Sequence, residues 1–292
     1  MRKIKELVIE KSLLSSALIT IAVTIGIVLV LAIEAVQFFS KVSILDFLTD
    51  TQWTPLFTDK HYGILPLLSG TLLTSFIAIS VALPIGLSIS IYLSEYAPKS
   101  FRKTVKPLLE LLAAVPTVVY GFFALIVVTP FLQQIIPGLS GFNSLSAGFV
   151  MGIMIIPYIS SISEDALHAV PNALREASFG MGATKLQTAF KVVVPAASSG
   201  IIVSIILAIS RAIGETMIVA VAAGQQPRLT LDPTVPVETI TAYIVQVSLG
   251  DVEHGSVEYR TIFAAGITLF VFTFLLNTLS YRIRKKYQER YE

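Results

Sequence analysis

Six long apolar runs dominate this chain, at about 13–39, 66–93, 108–133, 145–162, 197–223 and 261–281. Crossing roughly 30 Å of hydrocarbon takes about 20 helical residues, and each run is near or above that length. Hydrocarbon offers backbone polar groups no water, so a run of this kind must satisfy them internally as a helix. The expected fold class is therefore all-α integral membrane, with six transmembrane helices. Composition agrees, because only 14% of the residues are charged, against about 25% in a soluble domain. The first run follows Met-Arg-Lys-Ile-Lys, but it is longer than a signal core and has no clear small-x-small cleavage site, so it reads as a retained helix. Pro84, Gly86, Pro116, Gly121 and Pro157 fall inside runs. A helical bundle tolerates them where neighbours satisfy the freed backbone groups.

Basic residues orient the spans. Arg2, Lys3, Lys5 and Lys11, then Lys99, Arg102, Lys103 and Lys106, then Arg175, Lys185 and Lys191, and finally Arg282, Arg284, Lys285, Lys286 and Arg290 fall on one side. Lys41, Lys60, Arg228 and Arg260 fall on the other, and Arg211 lies within a span. The positive-inside rule puts the crowded side, with both termini, in the cytoplasm. Both termini on one side require an even number of spans, as counted. The expected layout is a cytoplasmic N-terminus at 1–12, a membrane domain over 13–281 and a basic cytoplasmic tail at 282–292. The chain has no cysteine, and His61, His168 and His254 lack metal-ligand spacing. No catalytic residue, metal site, bound cofactor or nucleic-acid partner is expected.

On the outer side, Trp53 and Tyr62 suit an interfacial belt. Ile240, Tyr243, Ile244 and Val247 recur at helical spacing, which predicts a short amphipathic helix along the outer surface or an ordinary packed loop helix.

The loop at about 163–196 is the most specific segment. Asn172 can start a helix, Gly180 and Gly182 permit a sharp turn, and a second short helix carries Leu186, Phe190 and Val193 toward Pro195. By physics alone this helix–turn–helix is either a docking surface or a plain connector. Its spacing, Glu176-Ala177-Ser178, then Gly182, then Val192-x-Val194-Pro195, resembles the Glu-Ala-Ala coupling motif of ABC-importer permeases at every interval. Tyr62-Gly-Ile-Leu-Pro66, Tyr92-Leu-Ser-Glu-Tyr-Ala-Pro98, Val115-Pro-Thr-Val-Val-Tyr-Gly121, Ser210-Arg-Ala-Ile-Gly-Glu-Thr-Met217 and Glu238-Thr-Ile-Thr-Ala extend the likeness over nearly the whole chain. Together they resemble the permeases of the Pst phosphate importer, of the PstC type. That resemblance implies a type I ABC-importer permease fold in a prokaryotic inner membrane. It implies a second homologous permease, two ATPase subunits that use ATP and Mg, and an extracytoplasmic phosphate-binding protein. Glu176, Ala177, Ser178, Gly182 and Pro195 would then form the coupling surface toward the ATPase.

Arg211 and Glu215 are the clearly intramembrane ionisable residues. Arg211 lies about 24 Å up a helix counted from Pro195, near mid-membrane, where a charge is costly unless paired or hydrated. Four residues apart on a continuous helix, the two would share a face. A guanidinium presents paired donors to two oxygens of an oxyanion. Arg211 is thus expected to contact passing phosphate, with Glu215 neutralising it between passages; the alternative is a structural ion pair. Thr71, Thr74 and Ser75 are candidate hydroxyl donors to the anion, although such groups commonly bond back to their own helix. The chain has no Gly-x-x-x-x-Gly-Lys-Ser/Thr loop, which fits a borrowed ATPase. An ion-coupled transporter would more often show an inverted repeat and several intramembrane acids, and a membrane enzyme would need a cluster of reactive groups.

Overall fold

The computed structural model describes residues 2–287, with side chains described for 6–279, 281 and 282. The side chains of Arg2, Lys3, Lys5, Arg284, Lys285, Lys286 and Arg290, used above for orientation, lie outside the described residues, as does the end of the tail at 288–292. The described chain is helical almost throughout, with two isolated β-bridges. Helix α1 spans Arg2–Phe39, α2 Ile44–Thr49, α3 Leu65–Ile91, α4 Lys99–Ala114, α5 Thr117–Phe123, α6 Thr129–Ile135 and α7 Ser144–His168. Then come α8 Asn172–Gly180, α9 Lys185–Thr188, α10 Val194–Ala196, α11 Ser198–Ile213, α12 Met217–Ala222, α13 Ile240–Leu249 and α14 Val257–Tyr287. Single π turns extend α3, join α5 to α6 and join α9 to α10. Among the described residues, five stretches are long and apolar enough to cross a membrane: Glu6–Phe39, Leu65–Tyr96, Thr117–Ile135, Ser144–His168 and Val257–Leu279. Lys185–Ala196 and Ser198–Ile213 pass the same test only when taken together, and the 72° bend between them sets Ser198–Ile213 apart from the segment before it.

Two spans differ from the sequence expectation. The third does not begin at 108. Val115 is extended ahead of Pro116, because a residue preceding proline is pushed out of helical geometry. Residues 108–114 belong instead to α4, whose Leu108, Leu111 and Leu112 are exposed on the apolar side of an otherwise basic helix. The fifth span is not continuous to 223. It stops at Ile213 and resumes at Met217 after a break over Gly214, Glu215 and Thr216. Trp53 is buried in the protein and does not face outward from it. It is 1% exposed, packed edge-to-face on Phe47 and Tyr243, because the 40–64 segment folds back over the ends of the helices.

The centre of the bundle is the seam between α3 and α7. Gly148 and Gly152 let the two backbones meet: a Cβ on Gly148 would lie 2.7 Å from the Ile77 Cβ, and one on Gly152 2.9 Å from the Ala78 carbonyl oxygen. This is the small-x-x-x-small device, which gains van der Waals contact where lipid provides little hydrophobic drive between helices. By contrast, α1 leaves apolar side chains exposed around its length and leans on α14, where Arg260 Nε donates to Glu34 Oε2 at 3.2 Å. Such all-round apolarity suits lipid. At the end of α7, fully buried Glu164 holds Arg102 and Lys106 of α4. The face of α13 carrying Ile240, Tyr243 and Val247 is buried against α3 and α14, so this is a packed loop helix.

Candidate functional site

The break in the fifth span carries the charged pair. Arg211 Nη1 lies 2.9 Å from Glu215 Oε2. The other terminal nitrogen, Nη2, donates to Met154 Sδ of α7 at 4.0 Å. Glu215 is not on the same helix as Arg211, contrary to the shared-face expectation. It lies in the break, and its carboxylate Oε1 accepts from the backbone N–H groups of Met217 and Ile218 at 3.1 and 3.4 Å. The carboxylate thus takes over the role of an N-terminal cap, satisfying donors that the interruption orphans. The Glu215 carbonyl oxygen accepts from Thr241 Oγ1 at 2.7 Å. Gly121 of α5 presses directly on α12, so the Pro116–Gly121 stretch serves close packing beside the break. The result is asymmetric: Glu215 is 2% exposed, whereas the Arg211 side chain is 34% exposed. A guanidinium has five N–H donors, so this placement leaves capacity for an anion.

The candidate hydroxyls are placed differently. Thr71 Oγ1 donates to the Leu67 carbonyl at 2.8 Å and accepts from the Ile240 N–H at 3.1 Å. Thr74 Oγ1 donates to the Gly70 carbonyl at 2.8 Å. Ser75 is buried, and its hydroxyl has no hydrogen-bond partner among the described residues. Thr71 reaches the charged pair only indirectly, through the 239–241 segment that also supplies Thr241. Thr241 escaped the sequence reading because nothing in Glu238-Thr-Ile-Thr marks a residue in the first turn of α13 as the brace of a distant helix break.

At the opposite end of the bundle, the 169–197 segment forms the expected helical hairpin. Helix α8 is followed by Gly182 at φ +83°, left-handed backbone that favours glycine. Thr184 and Gln187 then form a capping box that starts α9. Ser178 Oγ lies 2.9 Å from Thr188 Oγ1, tying the two arms. Glu176, Ala177, Gly182 and Pro195 are exposed, and Ser178 is half-buried. Phe179, Met181, Leu186 and Phe190 expose apolar side chains beside them; Leu186 and Phe190 therefore do not share the burial of Val193.

The sequence reading missed the joint that fixes this hairpin. Arg175 Nη2 and Nε donate to Glu95 Oε1 and Oε2 at 2.8 and 3.2 Å, and the guanidinium also donates to the carbonyls of Leu167 and Val170. Glu95 is 8% exposed. Helix α8 is thus bolted to the ends of α3 and α7 by a bidentate pair. Removing one member of a buried pair costs about 3–5 kcal/mol by stranding the other. Arg175→Ala is expected to speed amide hydrogen exchange in α8 at least tenfold while α7 around residues 148–156 stays protected; unchanged exchange in α8 would contradict the joint.

The family model described as "Binding-protein-dependent transport system inner membrane component" matches residues 82–291. A probable ABC transporter permease protein, YqgH of Bacillus subtilis, is 37% identical over 265 residues, covering 90% of this chain and 85% of that protein. The phosphate transport system permease protein PstC of Mesorhizobium japonicum is 36% identical over 253 residues, covering 80% and 76%. Among solved structures, a bacterial alginate ABC transporter in complex with an alginate-bound periplasmic protein aligns with a TM-score of 0.63 at 19% identity, over 94% of this chain and 95% of that one.

Proposed function

The chain belongs to the binding-protein-dependent transport system inner membrane components, and from that premise we propose that it is the PstC-type permease of an ATP-driven phosphate importer. It is a multi-pass inner-membrane protein of the ABC-importer permease fold. One observation carries the substrate: a guanidinium one-third exposed beside a buried carboxylate, at an interruption of the fifth span. Interrupted helices and intramembrane charges line transport paths, because irregular backbone at that depth needs protein or a water-filled cavity around it. Oxyanion recognition suits a planar, permanently charged donor. Likeness to phosphate permeases over most of the chain selects phosphate among the oxyanions.

In this reading the 169–197 hairpin faces the cytoplasm. Its exposed Glu176, Ala177, Ser178, Gly182 and Pro195, with the apolar Phe179 and Met181, dock on one of two separate ATPase subunits. ATP and Mg act there, and this chain carries out no hydrolysis. A homologous second permease completes the path, and an extracytoplasmic binding protein delivers phosphate to the opposite end. Closure of the ATPase pair pushes the hairpin, Arg175 passes the movement to α3 and α7, and phosphate crosses past Arg211. When no anion is present, Glu215 neutralises Arg211. Thr71 acts through the 239–241 segment that braces the break, while Ser75 retains a free hydroxyl for the path. Competition measured on the four-component complex in proteoliposomes tests the substrate. Unlabelled phosphate is expected to suppress labelled phosphate uptake at least 100-fold more effectively than sulfate. Equal suppression by sulfate would overturn the phosphate assignment.

A further inference from the structure

At the end of the bundle opposite the hairpin lies a cavity of about 290 Å³ between the 53–57, 225–227 and 238–246 segments. Its size suits a side-chain head group with a few waters, each water occupying ~30 Å³ of liquid. Glu238 lines it, is 2% exposed, and its Oε1 has no hydrogen-bond partner among the described residues. A buried carboxyl oxygen left unpaired is costly, and the Glu238 side chain that carries it is part of the cavity lining. Aromatic groups of Trp53, Phe57 and Tyr243 form much of the remaining wall, with Trp53 and Tyr243 edge-to-face at 5.0 Å. Gln225 and Gln246 add amide groups, and no Lys, Arg or His is among the described residues that line the space.

The wall is held in place before anything binds. Gln225 sits at φ +48°, an unfavourable backbone for a residue with a side chain, directly after Gly224 at φ +103°. Its Nε2 donates to the Ala220 carbonyl at 2.9 Å, and Val237 N–H donates to the Ala223 carbonyl at 3.0 Å. Thr239 caps α13 immediately after Glu238. The strained turn and the capped helix thus fix Glu238 at the cavity.

We propose that this cavity is a receptor for a guanidinium group, and that its occupant is an arginine side chain of the extracytoplasmic protein that docks on this end. The inference rests on the transport reading for the identity of the docking protein. The chemistry favours a cation over an anion. A carboxyl and three aromatic side chains in the lining favour guanidinium by ion pairing and by the ring quadrupole, whereas phosphate would meet no cationic side chain among the described lining residues, the nearest in sequence, Arg228, lining the adjoining space instead. Guanidinium is also weakly hydrated and planar, and so loses little on entering an aromatic slot.

Protonation sets the pH dependence. Burial raises Glu238 to about 8, so it is largely neutral at pH 7 in the empty cavity. The titratable group facing it is Tyr243, which burial pushes well above the ordinary phenol range; Tyr62 acts weakly on Tyr243. A cation binds the ionised carboxylate, so its entry expels a proton. Apparent affinity is therefore expected to rise about tenfold per pH unit between pH 6 and about 8, then level off.

Trp53 is the sole tryptophan of the chain and lines the cavity, so it reports occupancy. Methylguanidinium titrated into the full-length chain in detergent micelles is expected to change Trp53 fluorescence saturably, with the stated pH profile. Its neutral analogue methylurea is expected to give no saturable change, and Glu238→Gln to weaken the response at least tenfold. The wild-type pH series needs no variant, so a misfolded Glu238→Gln would not protect the proposal. Equal response to methylurea, a pH-independent response, or a saturable response to inorganic phosphate in place of methylguanidinium would each overturn the site. With the assembled transporter, Glu238→Gln is expected to weaken docking of the cognate binding protein at least tenfold, and unchanged docking would overturn the assigned occupant. The titration uses no transport readout, so its failure is distinct from failure of the transport reading.

Discussion

Replacing Arg211 with glutamine is expected to lower ATP-driven phosphate uptake at least 100-fold while the permease still assembles with its partners. Two charge-assisted hydrogen bonds to an oxyanion contribute about 1.5–3 kcal/mol each, and every ~1.4 kcal/mol is tenfold in affinity. The substitution also leaves Glu215, 2% exposed, without its cationic partner at the break in the span. The backbone cap offsets part of that cost, because Met217 and Ile218 N–H groups still donate to the carboxylate. The break in the span therefore survives the substitution. Glu215→Gln keeps an acceptor for the cap and is expected to reduce uptake less than Arg211→Gln. The double variant separates path from scaffold. A purely structural ion pair would regain function when both charges are removed, whereas a path arginine leaves the double variant as inactive as Arg211→Gln. Assembly measured by co-purification and uptake measured in proteoliposomes provide the two readouts.

Gly182→Val is expected to leave ATP hydrolysis by the assembled transporter running while phosphate moved per ATP falls about tenfold or more. Gly182 sits at φ +83°, and a Cβ there would meet nothing within 4 Å. The cost is thus purely one of backbone, about 1–2 kcal/mol for an L residue in the left-handed region and more for a β-branched one. It bends the hairpin without disturbing the bundle, so the surface proposed to reach the ATPase is expected to change while the proposed path is not. Gly180 supplies the control. A Cβ on it also meets open space, but its backbone is not in the left-handed region, so Gly180→Ala is expected to leave the hairpin's shape intact. Unchanged coupling in Gly182→Val would remove the hairpin from the coupling mechanism.

Much of this architecture was legible because membrane spans are written in residue type. The hydropathy of 66–93 and 145–162 anticipates α3 and α7 as spans, though not their packing on each other, and Gly180 with Gly182 marks the hairpin turn. The failures have specific causes. Residues 108–114 look like the start of a span because leucines recur there, but Leu108, Leu111 and Leu112 form one side of a helix that also carries Lys103, Lys106 and Glu110. Total apolarity hid that asymmetry, and Pro116 was tolerated as an internal proline when it marks the boundary. The break at 214–216 has no proline to announce it. It depends on a carboxylate cap from Glu215 and a hydroxyl from Thr241, 26 residues away, and a long-range brace leaves no local pattern. For the same reason Arg175 has no local mark of its role, since its partner Glu95, 2.8 Å away, lies 80 residues earlier in the chain. Trp53 obeyed interfacial statistics in sequence but is buried in space, because the return of the 40–64 segment is a tertiary event.

ATP dependence of uptake is the most direct test of the central claim. The chain, co-reconstituted with its partner permease, ATPase subunits and phosphate-binding protein, is predicted to load labelled phosphate into liposomes only with ATP and Mg at the ATPase side. That loading should stop with vanadate and persist when ion gradients are collapsed. Phosphate accumulation driven by an imposed ion gradient in the absence of ATP would contradict the account.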